Sequence, residues 1–220
     1  MLKRIAIIGA GGFAREVKWL ISDINRVQPT YEFAGYLVSD VNKLGEQDSR
    51  DEVLGDFTWL DKHGIDALCI GIGNPAIRLN IGSDIQTRFP AVEWPALVHP
   101  TVQMHFPSAK LGKGIILCAG TIGTVNITIE DFAMVNLACT LGHESTIGRG
   151  SVLNPTVNIS GGVTIEDGVL VGTGAQVLQY VRMGAGSMLG AGAVANKDVP
   201  AGVTAVGIPA KPLAKTQPAG

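Results

Sequence analysis

The sequence predicts a small parallel α/β domain joined to a parallel β-helix, and two observations carry that expectation. Residues 1–95 alternate strand-like and helix-like segments, the mark of a parallel sheet with crossover helices. From Leu111 to Leu189 every sixth residue is aliphatic except Gly123, and the frame does not slip. A second frame, running from Ile115 to Ala193, holds small or β-branched residues. A hexapeptide period means a solenoid in which three hexapeptides close one triangular coil. Residues eighteen apart then stack, and we expect the aliphatic frame to point inward at the corners. The expected domains are residues 1–95 and 96–220.

In the first domain, residues 4–8 form a short apolar run that reads as a buried strand. Gly9, Gly11 and Gly12 make a glycine turn. Residues 13–24 then put Phe13, Val17, Leu20, Ile21 and Ile24 on one helical face. Residues 32–38 and 67–72 read as further strands. Pro75 suits the first position of a helix over 75–89.

Composition fits this architecture and excludes others. The 220 residues include 29 glycines and only 5% aromatics, as expected of tight turns around small aliphatic side chains. A net charge of −2 with no basic patch argues against nucleic acid. No apolar run reaches membrane-spanning length, and the run after Met1 stops at Gly9, too soon for a signal peptide. Three cysteines without paired spacing fit a reducing cytoplasm. Cys118 and Cys139 fall at interior or near-interior positions, where core packing is the simpler role than acyl transfer. His99 and His105 lack a third stacked histidine, so no three-imidazole zinc site is expected.

The candidate chemistry is sparse. His143 lies two residues past Leu141, near a turn and pointing outward; by position alone it is a surface histidine. Asn136 and Asn154, eighteen apart, fit a stacked hydrogen-bonding ladder. Gly9, Gly11, Gly12 and Ala14 fit a loose dinucleotide-binding pattern, in which glycines let phosphates approach a helix N-terminus.

The repeat resembles the left-handed β-helix acyltransferases. Residues 192–202 and the run Val206-Gly207-Ile208-Pro209-Ala210-Lys211 resemble their closing segment. With the front glycine loop, the whole chain resembles the NeuD-like and PglD-like bacterial sugar acetyltransferases, perosamine N-acetyltransferases included. That resemblance implies a Rossmann-like domain and acetyl-CoA-dependent acetylation of a nucleotide-linked amino sugar by a cytoplasmic homotrimer. O-acetylation of a sialic acid or other glycan is the alternative.

Under the resemblance, His143 is the general base, Glu144 its orienting carboxylate, and Gly161, eighteen residues on, offers its amide to the acetyl carbonyl. A plain turn is the other reading of Gly161-Gly162. Coenzyme A would run along Gly161, Gly162, Gly172, Thr173, Gly190 and Ala191 toward Gly207, Pro209 and Lys211. Lys211 reads otherwise as a solvated terminal lysine. Gly11, Gly12, Phe13 and Asp40 would hold the nucleotide sugar, with Asn136 near the sugar. The family often has histidine where Phe13 stands and two acids where Ser39-Asp40 stands. A nicotinamide oxidoreductase fits poorly, because about 95 residues leave no second mononucleotide half. A non-catalytic scaffold is the remaining class.

Overall fold

The computed structural model describes residues 1–213, so the last seven residues of the second expected domain lie outside it. Four parallel strands form the first sheet: β1 (Lys3–Ile8), β2 (Tyr31–Val38), β3 (Val53–Asp56) and β4 (Ala67–Ile70), in the order β3-β2-β1-β4. Between β1 and β2 runs α1 (Gly12–Val27), and α2 (Pro75–Arg88) follows β4. The sequence reading missed β3. That strand is half-buried and broken by Gly55 at φ +152°, so it lacks the apolar signature of its neighbours. As expected, Pro75 opens α2. Asn74 caps it by accepting from the Ile77 N–H at 3.1 Å.

Gly9 and Gly71 let α1 close onto the sheet. A Cβ on Gly71 would lie 2.7 Å from the Ala14 backbone, and Gly9, at φ +102°, would meet Ile72 at 2.9 Å. Ala14, Val17, Leu20 and Ile21 are the buried stripe of α1.

The solenoid begins at Leu97–Val98, which pairs with Ile116–Leu117. Each coil gives one two-residue strand to each of three parallel sheets. Partners lie eighteen residues apart, as in Met134↔Val152, Thr140↔Asn158 and Thr146↔Thr164. Both sequence frames are interior: from Leu117 to Leu189 and from Ile115 to Ala193, every frame residue is buried. One detail differs from expectation. The aliphatic residues are the second residue of each strand, not the corners. The corners fall two and three residues later, where the chain turns through a left-handed backbone at Asn126, Phe132, Ala138, Glu144, Thr156, Tyr180 and many glycines.

The three faces differ outside. The face built on Ile116, Met134 and Val152 is covered by α1, and these outward side chains are 0–1% exposed. We call it the packed face. The second face carries Thr140, Asn158 and Gln176, and the third Thr128, Thr146 and Thr164, at the equivalent outward positions.

The two units are also joined at the corner between the third and packed faces. Phe132 there is fully buried against Trp94, ring centroids 5.1 Å apart and nearly perpendicular. Gly82 of α2 admits it, because a Cβ would lie 2.9 Å from the ring. Arg78, wholly buried, donates to the carbonyls of Ile70 (2.7 Å), Ile72 (2.9 Å) and Phe132 (2.9 Å). Burial lowers its pKa to about 10, so it stays cationic at neutral pH and ties β4 to the solenoid.

Candidate active site

His143 and Glu144 form the corner between the second and third faces, which we call the open corner. Glu144 takes the left-handed conformation at φ 56°, and that turn aims its carboxylate at the preceding ring. The His143 Nδ1 is hydrogen-bonded to Glu144 Oε2. Asn126, one coil below, donates to Glu144 Oε1 at 3.2 Å. These two contacts, the histidine first, hold the Glu144 carboxyl below the usual carboxylate range. A carboxylate at Nδ1 fixes the proton there and leaves the lone pair on Nε2.

The next coil supplies Gly161 and Gly162. A Cβ on Gly161 would lie 2.5 Å from both Cε1 and Nε2 of His143, so the Nε2 side of the imidazole sits against bare backbone. The eighteen-residue stacking expected from the sequence brings these two residues together. The Gly161 N–H has no hydrogen-bond acceptor among the described residues, whereas Gly162 N–H donates to the His143 carbonyl at 2.8 Å. A basic nitrogen and an unpaired amide donor thus share one surface. That surface is open, with the His143 and Glu144 side chains each 56% exposed.

The other expected site residues lie elsewhere on the chain. Gly172, Thr173, Gly190 and Ala191 belong to the corner between the packed and second faces. Gly172 has a packing reason of its own, since a Cβ would lie 2.5 Å from the Ala191 nitrogen. Asn136 approaches the same corner. It is 7% exposed, and its side chain accepts from the Leu137 N–H at 2.8 Å. The expected ladder with Asn154 is replaced by this turn onto its own backbone. Gly207, Pro209 and Lys211 form a hairpin on the last coil, where Val194 N–H donates to the Gly207 carbonyl at 3.0 Å and Lys211 is exposed.

In the first domain, Gly11 is the N-cap of α1, and no side chain caps that helix end. Gly12 follows it at the helix start, and Phe13 packs partly into the core beneath α1. Asp40 lines a cleft of ≈240 Å³ together with Gly9, Ser39, Lys43 and Ile72. The Asn42 N–H, first among its partners, and Lys43 hold the Asp40 carboxyl below its ordinary range. This domain covers the packed face, so within one chain its glycine loop and His143 lie on different sides of the triangular solenoid.

Two rival chemistries gain nothing from the geometry. Among the described residues no three His, Cys, Asp or Glu side chains cluster as a metal site. Burial pushes the Cys69 and Cys118 thiols up to about 12 and Cys139 to about 11, which suits packing rather than nucleophilic attack. No helix among the described residues is long and apolar enough to cross a membrane. Sequence reasoning missed one residue at the open corner. Tyr180, one coil beyond Gly162, is bulky, left-handed at φ 63° and 76% exposed.

Known proteins share this architecture. Residues 4–85 match the PglD N-terminal domain. The chain is similar to PerB from Caulobacter crescentus, solved with CoA and GDP-perosamine, at 28% identity and a TM-score of 0.82 over 97% of this chain and 99% of that one. It is similar to the acetyltransferase domain of PglB from Neisseria gonorrhoeae, solved with acetyl coenzyme A, at 28% identity and a TM-score of 0.83 over 97% and 100%. A serine acetyltransferase of Buchnera aphidicola is 30% identical over 157 residues, 70% of this chain. The chain spans half the length of that curated relative and 39% of the acyl-[acyl-carrier-protein]–UDP-N-acetylglucosamine O-acyltransferase of Pseudomonas aeruginosa. Residues 4–85 thus carry a PglD N-terminal domain, and over nearly its full length the chain shares the fold of PerB and of the PglB acetyltransferase domain, a small parallel α/β unit set on a wound β-helix.

Proposed function

We propose that this protein transfers the acetyl group of acetyl-CoA to the amino group of a nucleotide-linked amino sugar of the 4-amino-deoxysugar type. One observation carries the reading: Nε2 of His143 lies over Gly161, whose N–H is unpaired. His143 takes the proton of the attacking amine at Nε2, while the Glu144 carboxylate steadies the imidazolium. The nitrogen–carbonyl bond forms as the Gly161 N–H holds the developing oxyanion, an interaction typically worth ~3 kcal/mol. The carbon–sulfur bond then breaks, and the imidazolium returns its proton to the departing thiolate.

The sites on different sides of one chain support assembly between copies. In this reading a homotrimer sets the open corner of one β-helix beside the Thr173 corner of the next. Gly172, Gly190 and Ala191 line the coenzyme arm, and Lys211 meets its phosphates. Residues 1–95 bind the nucleotide sugar through Gly11, Gly12, Phe13 and Asp40, with Asn136 near the sugar. Residues 96–220 form the acetyltransferase domain. The PglD-type domain and the CoA and GDP-perosamine bound by PerB support both halves of this division. Three cysteines without a disulfide suit a cytoplasmic setting.

O-acylation of a sugar hydroxyl is the second reading. It is favoured by similarity to serine acetyltransferase and to an O-acyltransferase, and it uses the same base. The test is thiol release from acetyl-CoA with nucleotide-linked 4-amino sugars and matched hydroxy sugars, with light scattering for the trimer. Release with the amino sugars alone supports N-acetylation. Release with neither, together with no acetyl-CoA binding by calorimetry, rejects the assignment.

A further inference from the structure

Tyr180 is placed where an aromatic residue has no structural reason to be. Its backbone is left-handed at φ 63°, a conformation that costs a bulky residue stability and that glycine or asparagine adopts freely. Nothing repays that cost by burial, since the side chain is 76% exposed. The left-handed turn is the ordinary corner geometry of this solenoid, shared by the exposed Ala138 and Thr156; what sets Tyr180 apart is a large aromatic ring left exposed on it.

Its surroundings say which function. A Cβ on Gly162 would lie 2.5 Å from Cδ1 and 2.6 Å from Cε1 of Tyr180, just as one on Gly161 would meet the His143 ring. The two glycines form a bare floor. Imidazole covers one residue from the coil below, and phenol covers the next from the coil above. The Tyr180 N–H also holds the Gly161 carbonyl at 3.1 Å. On the second face the coils rise from Asn158–Ile159 through Gln176–Val177 to Val194–Ala195, which meets the Gly207 hairpin. A donor with its thioester at Gly161 and its phosphates near Lys211 crosses the coil of Tyr180. Leu178, 39% exposed, adds apolar surface on that same coil.

We infer that Tyr180 is a donor-binding residue whose ring packs against the pantetheine arm of acetyl-CoA and delivers the thioester to the floor beneath His143. The inference rests on the acetyltransferase reading. It predicts that acetyl-CoA affinity, not acceptor affinity, depends on this ring.

The experiment compares the full-length wild type, Tyr180→Phe and Tyr180→Asn. It measures coenzyme A binding by calorimetry, KM for donor and acceptor, and the unfolding temperature. Tyr180→Asn is expected to weaken coenzyme A and raise the donor KM about tenfold, with acceptor KM unchanged. Its unfolding temperature should be equal or higher, because asparagine relieves the backbone. Tyr180→Phe should bind coenzyme A as wild type. Unchanged coenzyme A binding in Tyr180→Asn, or a shift confined to acceptor KM, overturns the inference and leaves the acetyltransferase reading standing. Absence of coenzyme A binding in the wild type overturns both.

Discussion

Phe132 and Tyr180 stand at the same kind of corner with nearly the same backbone, φ 61° and φ 63°, yet one is 0% and the other 76% exposed. Each ring lies over glycine: Phe132 over Gly82 and Gly114, Tyr180 over Gly162. The left-handed turn costs each residue roughly 1–2 kcal/mol. At the packed corner that cost is offset by burial against Trp94 and α2, where Phe132 joins the two domains. At the open corner no packing offsets it, and the neighbours are a histidine–glutamate pair and an unpaired amide. The inward frame of this repeat specifies the winding. What stands at the corners decides whether a corner builds the molecule or works for it.

The sharpest way to break this contrast is His143→Ala. If the open corner serves chemistry, turnover should fall by about a hundredfold to ten-thousandfold, with an unfolding temperature close to wild type. Near-normal turnover in a stopped-time thiol assay would remove the corner from the mechanism. The reciprocal change is Phe132→Ala at the packed corner. It should cost about 3–5 kcal/mol for the lost aromatic, with no relief of the backbone, because alanine keeps the Cβ that opposes the left-handed turn. Chemical denaturation should show a large fall in midpoint. A variant as stable as wild type would mean that the two corners do not differ as argued.

Gly161→Ala tests the floor between these extremes. The added methyl would lie 2.5 Å from the His143 ring, so the imidazole must move while the coil keeps its backbone hydrogen bonds. We expect turnover to fall by tens-fold, with stability reduced by about 1–2 kcal/mol. The drop should appear in kcat more than in either KM. A rise in KM alone would reassign Gly161 to binding.

Much of this was readable from the sequence, because the solenoid repeats one rule. Eighteen-residue stacking put Gly161 beside His143 without a structure, and the aliphatic frame gave the interior. Positions of left-handed backbone were not readable. Glycine announces such a turn, but Tyr180 does not, and an exposed tyrosine in a sequence has no distinguishing mark. The strand Val53–Asp56 escaped because its residues are half-buried and interrupted by a glycine. The separation of Gly172 and Gly190 from His143 was present in the numbering, since neither lies a multiple of eighteen away. It needed the faces to be assigned before it had meaning. Spacing alone also put the aliphatic residues at the corners, because a two-residue strand and a two-residue turn share the same period.

The smallest expected effect concerns Glu144. His143 and then Asn126 hold its carboxyl below the ordinary range, so this side chain keeps its charge to lower pH than an ordinary glutamate. A depressed carboxylate contributes at pH values above its unfolded-state pKa and is lost only as pH drops through the lower folded value. From neutral pH down to about 5 the charge on Glu144 is therefore constant. Glu144→Gln keeps an oxygen to accept from Nδ1 but removes the charge that favours the imidazolium. The plateau of the rate profile should fall by less than about tenfold. A plateau equal to wild type would mean that the charge on Glu144 does not contribute to the step, and that accepting from Nδ1 is enough.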